Sequence, residues 1–362
     1  MRHDCAGYRD DSVNAMSQAG SVLDVVERYH AQIVGPLLDR RIPGLAYAAG
    51  RLGGGSEVLG LDDATSRDHD WGLRLTLLVP LEQIAQVRDV LDAEVPGSFD
   101  GLPTRFATTW RPEPALGIDV TTVEEFVAGH LGFEATQALS VGEWLSVTGQ
   151  QVLEVIAGPV FLDRPGTLTA VRERLAWYPD DIWMFAIAGA WRHVDEELPF
   201  VGRSATRGDE LGSRVIAARI VRHLGSIAFL LDRRWAPYSK WFGSVLATLP
   251  TGAAIAPSLN GTLEATTWEA REAHIAEAIE TLAVRQRALA LPTPDRAVHP
   301  FHDRPFRTLG PFTDELLTSL GADFQELGAI GTVEQWSDSV PALLSSSWRT
   351  NAARGWLQRH DS

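Results

Sequence analysis

The hydrophobic pattern changes its period near residue 168, and this limits the fold more than any other feature of the chain. Before that point the apolar residues come in short runs bounded by Gly and Pro, at 45–52, 71–79, 102–110, 117–123 and 160–163. In the second run Trp71, Leu73, Leu75 and Leu77 alternate with Gly72, Arg74 and Thr76, the period of a strand. Helical spacing is found at 22–40 and 81–94. The Arg111-Pro112-Glu113-Pro114 phrase reads as a turn between two strands. After residue 168 the spacing is helical almost throughout, at 168–177, 180–197, 209–234, 237–248, 264–290 and 312–320. The expected class is therefore α+β. A small mixed-sheet domain at 21–167 precedes an all-helical domain at 168–362, whose C-terminal extension follows the linker Leu291-Pro292-Thr293-Pro294. Residues 1–20, polar and small, read as a disordered tail.

At 362 residues the length agrees with two domains, and 45% hydrophobic with 22% charged residues is the balance of a soluble globular protein. A single cysteine, Cys5, rules out an internal disulfide framework and a zinc cluster. No apolar run approaches membrane-spanning length and the N-terminus has no signal-like apolar stretch, so a cytoplasmic protein with no membrane partner is expected. The net charge of −15 disfavours a nucleic-acid partner, because nonspecific binding depends on neutralising phosphates with cations. Lys240 is the single lysine among 32 basic residues. In so arginine-rich a chain it marks either a place that needs a compact ammonium or a chance survivor on a solvated surface.

The chemistry-bearing phrase is Gly53-Gly54-Gly55-Ser56, followed by Asp68-His69-Asp70. Glycines let backbone amides approach a phosphate without a side chain in the way. On an extended segment Asp68 and Asp70 point to one side while His69 points to the other. Two carboxylates so placed suit Mg²⁺, which takes one or two of them together with substrate phosphates. The run is not a Walker loop, having no Gly-Lys-Ser/Thr, and Gly50-x-x-Gly53 has the wrong spacing for a dinucleotide fingerprint. The competing readings are a surface loop of small residues and a solvated acidic segment.

With these motifs in this order, the chain resembles the nucleotidyltransferase superfamily, in the branch that includes aminoglycoside nucleotidyltransferases such as the kanamycin enzyme. More narrowly, it resembles an uncharacterised bacterial family of unknown function with a nucleotidyltransferase-like start. The phrases that carry this are Gly55-Ser56-Glu57-Val58-Leu59-Gly60, Ser66-Arg67-Asp68-His69-Asp70-Trp71-Gly72, Trp235-Ala236-Pro237-Tyr238-Ser239-Lys240-Trp241 and Phe301-His302-Asp303-Arg304-Pro305-Phe306. They span roughly 22–345. The resemblance implies two metal-binding carboxylates, Asp68 and Asp70, and a third on a neighbouring strand. Asp119 is the first candidate for that third place and Asp163 the competitor. It further implies Gly55 and Ser56 on the phosphates, Lys240 and Tyr238 as nucleotide contacts from the helical domain, Mg²⁺ as cofactor and a nucleoside triphosphate, ATP in the first instance, as co-substrate.

The expected reaction moves a nucleoside monophosphate to a hydroxyl of a small molecule and releases pyrophosphate. Nucleotidylation of a protein or of a tRNA end is the second reading, and a non-catalytic nucleotide-binding regulator the third. Assembly as a homodimer stays open. Elsewhere Asp209 reads as a helix cap and Arg214, Arg219 and Arg222 as helix-surface cations, one of them available to a phosphate. His299, His302 and Asp303 read as structural loop residues, and the twelve tryptophans mainly as core.

Overall fold

The computed structural model describes residues 22–61, 72–108 and 111–358. It is a mixed α+β protein, with the sheet in the first part of the chain and helices in the second. Its contacts divide into two compact units. The first holds the described residues up to His130 together with Glu134–Thr136 and Glu154–Arg174; the second holds Leu131–Phe133, Gln137–Leu153 and the chain from Leu175 onward.

In the first unit helices α1 (Val22–Tyr29) and α2 (Gly35–Arg41) are joined by a π turn, His30–Val34. There the Gly35 N–H donates to the His30 carbonyl, one residue further back than in an α-helix. The widened turn places Pro36 at the start of α2, where its missing N–H costs nothing, so the helix expected at 22–40 is continuous but carries a bulge. Strands β1 (Ala48–Gly50) and β2 (Leu75–Leu78) follow, then α3 (Ile84–Glu94), the short pair β3 (Ser98–Phe99) and β4 (Leu102–Pro103), and the hairpin strands β5 (Arg105–Thr108) and β6 (Arg111–Leu116). After β7 (Ile118–Thr121) come α4 (Val123–Leu131), α5 (Val141–Ser146), α6 (Gly149–Ile156), β8 (Val160–Asp163) and α7 (Thr167–Arg174).

The main sheet has the order β7-β2-β1-β8, with β2 and β7 parallel and the other pairs antiparallel. Alternation along β2 and β7 puts Leu75, Leu77, Ile118 and Val120 into one core with Val25, Val26 and Tyr29 of α1, Leu38 of α2 and Leu91 of α3. The opposite face carries Thr76 and Asp119.

Two sequence expectations are corrected in this stretch of the chain, whose α5 and most of α6 belong to the second unit. Residues 111–114 form a strand, not a turn, because β6 pairs with β5. Pro112 and Pro114 are tolerated because, among the described residues, the ribbon has only two strands, so each has an outer edge needing no N–H. Helices α4, α5 and α6 occupy a stretch in which no helix was expected. Each is only 6 to 9 residues long, too short for a periodic signal to rise above its surroundings.

The second unit continues with α8 (Asp180–Glu197), α9 (Phe200–Ala205), α10 (Glu210–Leu231), α11 (Ser239–Leu246), α12 (Pro250–Glu264) and α13 (Trp268–Ala288). A small hairpin follows, β9 (Val298–Pro300) with β10 (Arg307–Leu309), and then the short helices α14 (Phe312–Thr318), α15 (Ala322–Leu327), α16 (Val333–Trp336), α17 (Val340–Leu344) and α18 (Ser346–Leu357). At its centre the fully buried Trp191 of α8 stacks on Phe312 with ring centroids 4.1 Å apart, and its indole N–H donates to Gln286 of α13 at 2.8 Å. Asp209 caps α10 through the Gly212 N–H, as expected. Helix α12 escaped sequence detection because Pro257 lies inside it. No single described helix is long and apolar enough to cross a membrane.

Candidate functional site

The register of the sheet decides which candidate residues of the first unit share a face. Asp119 pairs with Thr76, Thr76 with Gly50, and Gly50 with Val160, so these four form one row across the strands. Asp119 is exposed, and no described residue donates to its carboxylate. Two inter-strand spacings, roughly 10 Å, separate it from Gly50. Gly50 ends β1 and opens the glycine loop. Because β7 runs parallel to β2 and β2 antiparallel to β1, Asp119 near the start of β7 lies at the same sheet end as that loop.

Asp163 behaves differently. It pairs with Ala48, toward the other end of β1. One carboxylate oxygen accepts from the Gly166 N–H at 3.0 Å, and the other from the Thr169 N–H at 2.8 Å and hydroxyl at 2.7 Å. It closes the turn into α7, and these bonds engage both of its oxygens.

The glycine loop is built around a residue that sequence reasoning passed over. Arg51 has a side chain only 3% exposed. Its guanidinium donates to the carbonyls of Leu52 at 2.5 Å and Gly54 at 2.8 Å and is ion-paired to Glu57 at 2.6 Å. Gly55, at φ +144°, closes over this pair. A Cβ there would fall 2.5 Å from Glu57 Oε2 and 2.7 Å from Arg51 Nη2, so no other residue fits without moving the pair. The Leu52 and Gly54 carbonyls are thus spent on the support of the loop. Gly53 N–H goes to the Glu154 carbonyl at 2.9 Å, and the N–H groups of Gly54 and Gly55 have no acceptor among the described residues. The Ser56 carbonyl accepts from Leu59 and Leu61 and starts the next turn.

The loop rests on a second support, the bend before β8. Arg172 of α7 donates to the carbonyls of Val155, Ala157 and Gly158, at 2.7–3.2 Å. The Pro159 carbonyl in turn accepts from the Arg51 N–H at 3.1 Å. Burial pulls Arg51 down to about 10, with Arg74 pushing the same way and Glu57 and Asp119 opposing it, so it stays cationic at neutral pH. Arg74 lies two residues before Thr76 on β2's approach and has no carboxylate partner among the described residues. The local sequence signal for both arginines was position: a basic residue at each flank of the glycine and aspartate motifs, inside otherwise apolar runs.

Asp68 and Asp70 lie outside the described residues. Among the described residues no group of three His, Cys, Asp or Glu side chains converges closely enough to hold a metal ion. Lys240 and Tyr238 belong to the helical unit. Lys240 is exposed, with its ammonium 4.7 Å from the Trp241 ring centroid. The Tyr238 N–H donates to Gln150 at 3.2 Å, and its side chain borders a cavity of about 480 Å³.

That cavity, wholly within the helical unit, is lined by Trp177, Trp235, Arg222 and Glu334 among others. Burial pushes the Glu334 carboxyl up to about 7, against the Gly149 N–H that donates to it and the nearby Arg222 and Arg349. On the same wall His223 stacks on His193 at 4.9 Å. Burial, then His193, Arg219 and Arg222, hold His223 down to about 4. The unfolded chain would bind that proton from about pH 6.5 downward while the folded chain refuses it. The His223 contribution is thus complete above pH 6.5 and drains away as pH falls toward 4, by about 3 kcal/mol. Glu334 works in the opposite direction. Urea unfolding of His223→Gln should therefore show less loss of stability between pH 6.5 and 4 than the parent protein, and an unchanged slope would refute the assignment.

Residues 144–242 match the family described as Domain of unknown function (DUF4037). The match covers α5 through α11, a narrower stretch than the 22–345 over which the motifs suggest a family likeness. Among solved structures, the chain is similar to a nucleotidyltransferase-like protein from Exiguobacterium sibiricum 255-15. The identity is 12% and the TM-score 0.33, over 76% of this chain and 82% of that one. No curated protein matches.

Proposed function

We propose that the protein is a Mg²⁺-dependent nucleotidyltransferase, which moves a nucleoside monophosphate from a nucleoside triphosphate to a hydroxyl of a small molecule, as aminoglycoside nucleotidyltransferases do. The observation that carries this reading is the row Asp119–Thr76–Gly50. It sets a carboxylate with no hydrogen-bond donor among the described residues at the sheet end where the Gly54 and Gly55 amides have no acceptor among them. The motif Asp68-His69-Asp70 precedes β2, the strand between the two. The oxygen-only donor set Asp68, Asp70 and Asp119 is the kind Mg²⁺ prefers. Bound there, Mg²⁺ would offset the negative charge that builds up on the reacting phosphate.

In the proposed reaction the acceptor oxygen forms a bond to the α-phosphorus and the α–β anhydride bond breaks, so pyrophosphate leaves. Asp119 orients the acceptor hydroxyl and takes its proton. The Gly54 and Gly55 amides and the Ser56 hydroxyl hold the outer phosphates, with the Arg74 guanidinium balancing their charge. Lys240 and Tyr238 lie on the helical unit, and the proposal stands without them. The acceptor class remains a hydroxylated small molecule.

The test is pyrophosphate release by the full chain with Mg²⁺ and each nucleoside triphosphate, across a library of hydroxyl compounds. Release that needs Mg²⁺ and is abolished in Asp70→Ala is the expected result. Nucleotide binding without turnover for any acceptor would favour a regulatory protein instead.

A further inference from the structure

The cavity of the helical unit plays no part in the proposed chemistry, and its walls have a consistent character. One wall is aromatic. Trp177, Tyr178 and Trp235 pack against one another with centroids 4.4–5.3 Å apart. Trp235 is pinned by its indole N–H, which is shared between the Leu175 and Ala176 carbonyls at 3.1 Å. Trp177 also lines the space, and its indole nitrogen is buried with no hydrogen-bond partner among the described residues.

Another wall is cationic, in a protein of net charge −15. Helix α10 presents Arg219, Arg222, His223 and Ser226 at spacings of three and four, hence on one face, and Arg234 follows the helix end. Arg219 is neutralised by Glu197 at 2.9 Å. Arg222 meets the Ser239 hydroxyl at 3.5 Å and the Phe242 ring and lies near enough to Glu334 to favour its charged form, but neither it nor Arg234 is in a salt bridge with a carboxylate among the described residues. Of the acids on the lining, Asp338 is exposed, as Arg222 and Arg234 are, while Glu334 accepts from the Gly149 N–H. Two guanidinium groups with no salt-bridged carboxylate among the described residues, beside an aromatic wall and in a space the size of a small-molecule site, are complementary to one kind of molecule.

We infer that this cavity binds a planar ring compound carrying an anionic group, with the ring against Trp177 and Trp235 and the phosphate or carboxylate on Arg222 and Arg234. The inference is independent of the nucleotidyl-transfer reading, since none of these residues belongs to the sheet unit. Guanidinium forks bind both oxyanions in the same bidentate way, so a nucleotide and an aromatic acid are the two sources to be told apart.

The experiment uses the full chain without Mg²⁺, by calorimetry and tryptophan fluorescence. The probes are adenosine 5′-monophosphate and 4-hydroxybenzoate, each beside its uncharged counterpart, adenosine and phenol. One anionic probe is expected to bind and to quench fluorescence, with its counterpart at least tenfold weaker. The double variant Arg222→Gln/Arg234→Gln should weaken that probe tenfold or more with an unchanged melting temperature. Trp177→Leu should remove most of the quench, and Asp119→Asn should leave binding intact. The inference fails if neither anion binds, if a neutral counterpart binds equally well, if the arginine variants change nothing, or if Asp119→Asn weakens binding as much as they do.

Discussion

Asparagine in place of Asp119 is expected to lower nucleotidyl transfer by a thousandfold or more, which corresponds to about 4 kcal/mol of transition-state stabilisation. The substitution keeps the shape of the side chain and removes its charge and basicity. Asp119 is exposed and makes no hydrogen bond to a described residue, so circular dichroism and the melting temperature should stay at their parent values. The loss should therefore fall on kcat. Asp163→Asn offers the contrast. It weakens the acceptor of three hydrogen bonds that close the turn into α7, so it should lower stability while sparing turnover in the protein that remains folded. If Asp119→Asn retained full activity while Asp163→Asn lost it, the two roles would have to be exchanged.

Replacing Arg51 with methionine is expected to cost about 3–5 kcal/mol of stability, measured by denaturant unfolding. The aliphatic volume is kept, but Glu57 is left enclosed without its partner and the Leu52 and Gly54 carbonyls lose their donor. Removing Glu57 as well, in Arg51→Met/Glu57→Gln, should recover part of the loss, because the charge stranded by the single change is gone. A surface ion pair would respond quite differently. Arg192 and Glu196, half-exposed on α8, should give less than about 1 kcal/mol by the same measurement. An Arg51→Met protein as stable as its parent would mean that the glycine loop does not depend on that guanidinium.

Much of this architecture was visible before any tertiary contact was known. The alternation at 71–79 announces β2 because one face of a sheet must be buried, and Leu73, Leu75 and Leu77 are indeed in the core. The long periodic stretches announce α8, α10 and α13 for the corresponding reason in helices. Residues 111–114 misled because two prolines usually mark a turn, and only the pairing partner β5 shows that their missing donors face no strand. The glycines at 53–55 suggest free amides and hence a phosphate cradle. No local spacing reveals Arg51, whose contacts with Leu52, Gly54 and Glu57 form only when the chain folds back around it.

By itself the sequence determined the α+β class, the order of sheet before helices and the residue types available for phosphate and metal chemistry, since each of these follows from local periodicity and composition. Only the tertiary structure decided that Asp119 shares a row with Gly50 while Asp163 ties down a turn, and that Arg222 and Arg234 face a space lined by Trp177 and Trp235. The reason is physical. Strand register and helix packing join residues tens of positions apart, and no spacing within a segment encodes which distant partner a side chain will meet.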